Sequence, residues 1–298
     1  MTHRERVYQA LRGEPLDRLA RGEFFIADEF ARAFSVGADT DALEQVVEQL
    51  DLDIVSIPFS AGWGTRNQPD EDRALETVMR WRERDRFVFA LIDGPFSAAV
   101  KATGFDTLMR YAHDIPRTAR NAFQEGAHDV CVVARAARDA GADGVILGDD
   151  IAYHRATFFA TEALGAHYFP ALHDAAHEIH ALGLVVFFHS DGNLSAVLDD
   201  LAACELDGLQ GLEPEAGMSI QRVRERVGNR LTLWGNLGFD FLSAERWDSE
   251  IEEMVKAITT NSGKLIFGSC GGLVKGVNVE TVRRVHRWAN TSGWVQFS

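Results

Sequence analysis

The sequence predicts an α/β protein built as a single (β/α)8 barrel, and three observations support this prediction. Eight short apolar runs, each typical of a strand buried on both faces, alternate with helical segments along the 298 residues. No repeat of short period and no linker of biased composition divides the chain. No G-x-G-x-x-G fingerprint or P-loop follows a strand, which disfavours the competing doubly wound open sheet. We therefore expect one barrel domain over residues 1–298, with a short helical extension at 1–20.

The predicted elements follow from apolar periodicity and from helix start and stop signals. The eight strands are expected at 22–27, 53–58, 87–92, 143–148, 184–188, 208–213, 231–236 and 264–269. The helices are expected at 3–12, 39–52, 73–84, 104–112, 116–140, 155–182, 194–203, 219–227, 246–260 and 278–290. Residues 59–72 are rich in Gly, Asn, Pro and Asp and read as a long loop that could act as a lid.

Composition limits the class of protein and its partners. A hydrophobic fraction of 46% with 25% charged residues is typical of a globular chain, and no apolar run approaches the roughly 18 residues that span a bilayer. Thirty basic against 45 acidic residues give a net charge of −15, which repels nucleic acid and anionic membranes. Three scattered cysteines and an N-terminus without a signal-peptide pattern lead us to expect a cytoplasmic protein.

Polar residues stand where the predicted strands end. In a (β/α)8 barrel the active site lies at the carboxyl ends of the strands. The residues at these ends are Glu23, Pro58, Asp93, Asp149, Asp150, His189, Asp191, Glu213, Asn236, Ser269 and Cys270. Several ionised carboxylates in one pocket repel each other, and a divalent cation would offset that repulsion. The pattern therefore predicts a metal site at the mouth of the barrel.

The segment after strand five is the most informative part of this ring. His189 and Asp191 are two residues apart in extended chain, so their side chains leave the same side and can converge on one ion. With Glu213 and Cys270 they form one plausible zinc ligand set of nitrogen, oxygen and sulfur. The alternative is structural: His189 could be a satisfied core histidine, and Asp191 and Glu213 could cap helices or bond loop amides.

Other candidate sites have simpler explanations. His173, His177 and His180 share one helical face and could bind a metal, but a solvated or packed helix face is the favoured explanation. The chain has four lysines and none ends a strand, which disfavours Schiff-base and pyridoxal-phosphate chemistry. The glycine-rich loop 268–276 could bind phosphate with Lys275, or its glycines could serve tight turns alone. No nucleophile-elbow motif of an α/β hydrolase is present.

Six segments of this sequence resemble the uroporphyrinogen decarboxylase superfamily, and more closely its cobalamin-dependent methyltransferase branch. They are 4–18 (RERVYQALRGEPLDR), 148–152 (GDDIA), 188–193 (FHSDGN), 211–218 (GLEPEAGM), 234–236 (WGN) and 268–276 (GSCGGLVKG). The resemblance runs over nearly the whole chain in order and implies a (β/α)8 barrel. It also implies a zinc site with a His-x-Cys pair after strand five, a Glu after strand six and a Cys after strand eight. By position these become His189, Asp191, Glu213 and Cys270.

Two departures from the family pattern qualify this resemblance. Asp191 stands where the methyltransferase motif has cysteine, which leaves a ligand but makes the set harder. The paired arginines that follow strand one in true uroporphyrinogen decarboxylases have no counterpart in residues 23–32 (EFFIADEFAR), which are acidic and contain a single arginine. An acidic mouth would repel a polycarboxylated porphyrinogen. Decarboxylation is therefore the second hypothesis.

The leading hypothesis is a zinc-dependent methyltransferase that exchanges a methyl group between a small molecule and a corrinoid on a separate carrier protein. A harder ligand set favours an O- or N-methylated substrate, including a methoxylated aromatic compound, over a thiol. Asp149, Asp150 and Glu23 are candidate general acids, and Asp93 is a candidate proton donor in the decarboxylase alternative. Asn236, Gly271 and Gly272 are candidate corrinoid contacts. A homodimer is one expected assembly, and the third hypothesis is a non-catalytic barrel that binds a corrinoid or its carrier.

Overall fold

Eight parallel strands form the sheet of this protein, which is described here from a computed structural model. The structure describes residues 1–35, 41–59 and 71–291. The strands are β1 (Ala20–Arg21), β2 (Ile54–Pro58), β3 (Phe87–Asp93), β4 (Gly144–Gly148), β5 (Val185–Ser190), β6 (Gly208–Gly211), β7 (Thr232–Leu237) and β8 (Leu265–Ser269). Their order is β1-β8-β7-β6-β5-β4-β3-β2. The ends of this sheet meet where Gly22 bridges Ile54 and the Asp53 amide donates to the Arg21 carbonyl at 2.8 Å, so the sheet closes into a barrel.

Helices alternate with the strands around the barrel. They are α1 (His3–Arg12), α2 (Asp28–Phe34), α3 (Ala42–Gln49), α4 (Glu71–Arg82), α5 (Pro95–Thr103), α6 (Phe105–Asp114), α7 (Pro116–Ala140), α8 (Thr161–Ala163), α9 (Phe169–Ala181), α10 (Leu198–Ala202), α11 (Ile220–Val227), α12 (Phe239–Leu242), α13 (Asp248–Thr259) and α14 (Val279–Thr291). One turn of π-helix, Leu164–Tyr168, joins α8 to α9. None of the helices in the described part of the chain is both long and apolar enough to cross a membrane.

The barrel interior is filled by large aromatic side chains. Phe89 packs against Phe187 and Trp234 with ring centroids 5.3 and 5.6 Å apart, and all three are fully buried. The indole nitrogen of Trp234 donates to the Gly22 carbonyl at 3.0 Å. A Cβ atom at Gly268 would overlap that same carbonyl oxygen, so glycine is required for β8 to approach β1. The interior is therefore a packed core, and the space for a ligand lies at its carboxyl end.

Helix α1 covers the amino end of the barrel. Val7 and Ala10 are buried against the interior aromatic cluster, and Tyr8 meets Phe87 edge-to-face at 5.1 Å. Asp53, fully buried just before β2, accepts hydrogen bonds from Arg6 at 2.5 Å and from Arg18. This closure separates the amino end from solvent and leaves the carboxyl end as the open mouth.

The predicted (β/α)8 barrel is confirmed, with one misplaced strand, three unpredicted helices and a later start for the predicted helix 155–182, which begins at Thr161. The predicted strand 22–27 is wrong, because the ladder contains Ala20–Arg21 and the chain then turns across the mouth. Helices α2, α5 and α12 were not predicted. Of the predicted lid loop, residues 60–70 lie outside the described part of the chain, as do residues 39–40 of the predicted helix 39–52. The single-domain boundary at 1–298 stays a prediction.

Candidate functional site

A cavity of about 500 Å³ opens at the carboxyl ends of the strands. Its wall is mostly aromatic and aliphatic, with five phenylalanines that come from the connections after β1 and β4 and from α5 and α6. These are Phe24, Phe25, Phe96, Phe105 and Phe158. The charged and titratable side chains in its lining are Asp93, Lys101, Asp150, His189 and Asp191. The cavity therefore combines an apolar wall with a few charged and titratable side chains, as ligand sites commonly do.

Asp150, His189 and Asp191 form the candidate metal centre. Each can offer one ligand atom, and the three atoms lie within 4.8 Å of one another. Nε2 of His189 lies 3.7 Å from Oδ1 of Asp150 and 3.9 Å from Oδ1 of Asp191. The Asp191 amide also donates to Asp150 at 2.9 Å, which ties the loop after β5 to the loop after β4. Two neighbouring strands thus bring one imidazole and two carboxylates together.

His189 is the fixed member of this centre. Its side chain is buried in the last part of β5, and its ring stacks on Phe24 with centroids 3.9 Å apart and an interplanar angle of 16°. Nδ1 lies 2.5 Å from Oε1 of Gln210, the residue beside His189 in the β5–β6 ladder. The two carboxylates are half exposed and line the cavity. The ring is therefore held while the carboxylates keep access to a ligand.

The electrostatics of the centre favour a bound cation. Loss of hydration at the cavity wall raises the pKa of Asp191, His189 opposes this shift, and the charge of Asp150 adds to it. A divalent ion would reverse the repulsion between the two carboxylates. In tetrahedral zinc sites with bonds of about 2.0–2.2 Å, ligand atoms lie roughly 3.4 Å apart. The observed 3.7 and 3.9 Å separations need only small side-chain movements to fit such an ion.

Glu213 and Cys270, the other two predicted ligands, lie outside this group of three within the described residues. Glu213 accepts a hydrogen bond from the Gly192 amide at 3.1 Å and so supports the turn after β5. Cys270 is buried, and burial together with the charges of Glu215, Asp191 and Glu213 raises the pKa of its thiol. Their role as ligands stays a prediction.

Asp149, Glu23 and Asn236 are buried, form hydrogen bonds with other protein groups and are not among the residues that line the cavity. Asp149 accepts from the Phe96 and Ser97 amides at 2.9 and 2.8 Å, which caps the start of α5. Its pKa is raised to about 6 by burial, with these hydrogen bonds opposing the rise.

Glu23 lies 2.8 Å from His286 and accepts from the backbone of Ser269 at 3.1 Å. The amide nitrogen of Asn236 donates to the Leu212 and Met218 carbonyls. These contacts give Glu23 and Asn236 structural roles. The acid and corrinoid-contact roles predicted for these buried residues are not tested by the geometry.

Asp93 and Gly271 line the cavity, as their predicted roles require. Asp93 ends β3 and pairs with Lys101 of α5 at 2.6 Å. Gly272 has φ +82°, and a Cβ atom there would crowd the Phe25 carbonyl, so it lets the loop after β8 pass the loop after β1. Lys101 was not predicted as part of the site because it lies on the unpredicted helix α5.

The histidines of α9 meet carboxylates at the protein surface. His177 lies 3.2 Å from Glu205, and His180 lies 2.9 Å from Asp207. His173 stacks on His177 with rings nearly parallel. In the described ranges these histidines do not join a group of three close metal donors. They are therefore explained as a charged helix face.

Gln210 is the buried site residue that sequence reasoning missed. It is 1% exposed and lies within β6, before the strand end at which functional residues are sought. The available signal was a polar residue inside an otherwise small and apolar strand, facing the same interior as His189. A buried amide of this kind requires partners, and here they are His189 and the backbone after β8.

Comparison with known proteins shows the family to which this chain belongs. The family model described as uroporphyrinogen decarboxylase (URO-D) matches residues 72–291, well over half of the 298-residue chain. The chain belongs to the uroporphyrinogen decarboxylase family. The match begins within α4 and ends with α14, so the strands β3 to β8 and all three residues of the candidate metal centre lie inside the family region. No curated protein sequence matches the chain.

Solved structures share the barrel with this member of the uroporphyrinogen decarboxylase family. A methyltransferase from Methanosarcina mazei has a TM-score of 0.82 at 19% identity, covering 97% of this chain and 98% of that chain. An endo-1,4-beta-mannanase from Rhizomucor miehei has a TM-score of 0.56 at 11% identity, covering 92% and 96% of the respective chains. At these identities the similarity establishes the fold alone.

Proposed function

We propose that this family member is a zinc-dependent methyltransferase that moves a methyl group between a small O- or N-methylated substrate and a corrinoid on a separate carrier protein. The observation that carries the proposal is the convergence of Asp150, His189 and Asp191 at an aromatic-lined cavity. Membership of the uroporphyrinogen decarboxylase family and the full-length similarity to a methyltransferase barrel support an enzyme of this class.

The donor set suits a catalytic divalent ion. One imidazole nitrogen and two carboxylate oxygens leave an exchangeable position, as catalytic zinc sites do. When bound, zinc would supply Lewis acidity to the heteroatom that carries the methyl group. A set of one nitrogen and two oxygens is hard, so it favours an oxygen or nitrogen substrate over a thiol.

The chain's own residues bind the substrate and exclude water. The five phenylalanines of the cavity can pack on a methoxylated aromatic ring and lower the local dielectric around the reacting atoms. Lys101, beside Asp93, is the one ammonium group among the described lining residues. It can donate a proton to the substrate oxygen or nitrogen that becomes anionic when the methyl group leaves.

Metal analysis with one matched pair of variants tests this function. We expect about one zinc ion per wild-type chain after zinc supplementation, and loss of that ion in His189→Ala. Methyl transfer from methyl ethers or methylamines to a reduced corrinoid carrier should fall by about 100-fold or more in the variant. His180→Ala on α9 removes a histidine that contacts Asp207 at the protein surface. It should change neither the zinc content nor the rate of methyl transfer. Wild-type protein without zinc would overturn the proposal.

The family description favours decarboxylation of a tetrapyrrole acid as the second candidate. The described part of the cavity has three carboxylates, Asp93, Asp150 and Asp191, and one lysine in its lining, which disfavours a polycarboxylated substrate. Release of carbon dioxide from a porphyrinogen would identify this activity. Corrinoid binding without either turnover would instead indicate the third candidate, a non-catalytic barrel.

A further inference from the structure

Gln210 connects the candidate metal centre to the far side of the barrel mouth. Its Nε2 lies 3.1 Å from the Ser269 carbonyl and 3.1 Å from the Cys270 carbonyl. Its Oε1 lies 2.5 Å from Nδ1 of His189. All three contacts are buried, so the side chain of β6 bridges the end of β5 and the loop after β8.

These contacts decide the orientation of the amide. Backbone carbonyls only accept hydrogen bonds, so the nitrogen of the Gln210 side chain must face Ser269 and Cys270. The opposite orientation would set an amide oxygen against two carbonyl oxygens, which is unfavourable in a buried site. The amide oxygen therefore faces His189, and it too can only accept.

The orientation of the amide in turn decides the tautomer of the imidazole. If Nδ1 of a neutral His189 carried a lone pair, it would lie against the lone pairs of the Gln210 oxygen at 2.5 Å. With the proton on Nδ1, that contact becomes a hydrogen bond and the lone pair moves to Nε2. Nε2 is the nitrogen that faces Asp150 and Asp191.

We infer that Gln210 is a positioning residue that holds neutral His189 as the Nδ1–H tautomer, so that its Nε2 lone pair points at the candidate metal centre. The tautomer follows from the hydrogen-bond geometry alone, and its consequence for metal binding rests on the proposed function. Partners of this kind fix ring orientation in metal sites, and their loss commonly reduces metal affinity by about 10- to 100-fold.

Nitrogen NMR of the metal-free protein tests the tautomer directly. Protein labelled with [15N]histidine is recorded at about pH 9, where free histidine is neutral, and the His189 signals are assigned by their loss in His189→Gln. We expect the shifts of a protonated Nδ1 and an unprotonated Nε2 in the wild type. Gln210→Leu should shift the ring towards Nε2 protonation. A wild-type ring protonated on Nε2 would overturn the inference.

Two further variants separate the hydrogen bond from packing. Gln210→Glu keeps an oxygen acceptor for Nδ1 but loses the nitrogen that donates to the Ser269 and Cys270 carbonyls. Folded Gln210→Glu protein should retain the wild-type tautomer, whereas Gln210→Leu should not. Gln221→Leu removes another amide that donates to two backbone carbonyls, those of Ala257 and Thr260, but on the outer surface. It should leave the His189 signals unchanged. A folded Gln210→Leu protein with the wild-type tautomer would also contradict the role of Gln210.

Competition with a chelator measures the effect of Gln210 on the affinity for Zn²⁺. We expect the Kd for Zn²⁺ to rise by about 10- to 100-fold in Gln210→Leu and to stay near the wild-type value in Gln221→Leu. An unchanged Kd in Gln210→Leu would overturn the positioning role at the metal. If the wild type shows the expected tautomer but binds no zinc, the proposed function fails while the tautomer assignment stands.

Discussion

Asp150 and Cys270 belong to two alternative ligand sets for the proposed zinc ion. The family resemblance implies Cys270, whereas the structure groups Asp150 with His189 and Asp191. We predict that Asp150→Asn weakens zinc binding by about 10-fold or more, and that Cys270→Ala changes it by less than about threefold. Zinc retention against a graded chelator checks both variants. Loss of zinc in Cys270→Ala alone would instead support the thiolate set.

Gly94 has no side chain, and this leaves room for the carboxyl group of Asp149. A Cβ atom there would overlap the Asp149 carboxyl group, which caps α5. We predict that Gly94→Ala displaces this cap and lowers the free energy of unfolding by about 1–3 kcal/mol. Gly165→Ala is the control, because a Cβ atom at Gly165 meets no atom within 4 Å. Urea denaturation of both variants checks the difference, and equal stability would contradict the capping role.

The strands were predictable because each is a short apolar run that the barrel buries on both faces. Residues 87–92 and 264–269 were expected as strands, and the structure has Phe87–Asp93 and Leu265–Ser269. Strand β1 was misplaced because the apolar residues after Gly22 do not extend the ladder. Phe24 instead stacks on His189 and Phe25 lines the cavity, so these apolar side chains form part of the cavity wall.

Helix α5 was missed because its start signal is not local. Pro95 follows Gly94 directly at the end of β3, which reads as a turn. The side chain that caps the helix is Asp149, 53 residues away from Phe96 in sequence. The same limit applies to the site: strand ends identified His189 and Asp191, but which other donors lie near them depends on how the loops after β4 and β8 are arranged in three dimensions.

The attachment of α1 to the barrel depends on one buried carboxylate. Burial alone would raise the pKa of Asp53, but its hydrogen bond with His3 and the charges of Arg18 and Arg6 lower it overall. Asp17, also bonded to Arg6, has its pKa lowered to about 2. Groups with lowered pKa values stabilise the fold above the ordinary aspartate pKa of about 3.9, and this stability is lost as pH falls towards 2.

We predict that Asp53→Asn lowers the free energy of unfolding at pH 7 by about 3 kcal/mol, because Arg6 and Arg18 lose a buried partner. The variant should also lose less stability than the wild type between about pH 4 and pH 2. Urea denaturation across this range checks both expectations. Asp114→Asn, an exposed position beside His113, is the control. Parallel pH profiles for Asp53→Asn and the wild type would contradict the prediction.

At the scale of the whole molecule, the first strand and the last described helix, β1 and α14, meet in one core. Glu23 follows β1, and its partner His286 lies on α14, 263 residues later; both are buried. Arg21 donates to the His286 carbonyl at 3.0 Å, and Arg283 stacks over Phe34 at 3.8 Å. A barrel whose closing contacts join its ends should unfold as a unit, which is what the single-domain prediction for residues 1–298 requires.

We therefore predict that Glu23→Ala destabilises the entire barrel, by about 3–5 kcal/mol, because it removes a buried partner from His286. Unfolding in urea is followed by far-UV circular dichroism and by tryptophan fluorescence, to which Trp234 in the barrel interior contributes. Both signals should shift to lower urea together, in one transition, and Glu280→Ala, an exposed change on α14, should shift neither. Two separated transitions, or a shift in one signal only, would mean that the ends of the chain form a unit distinct from the rest of the barrel.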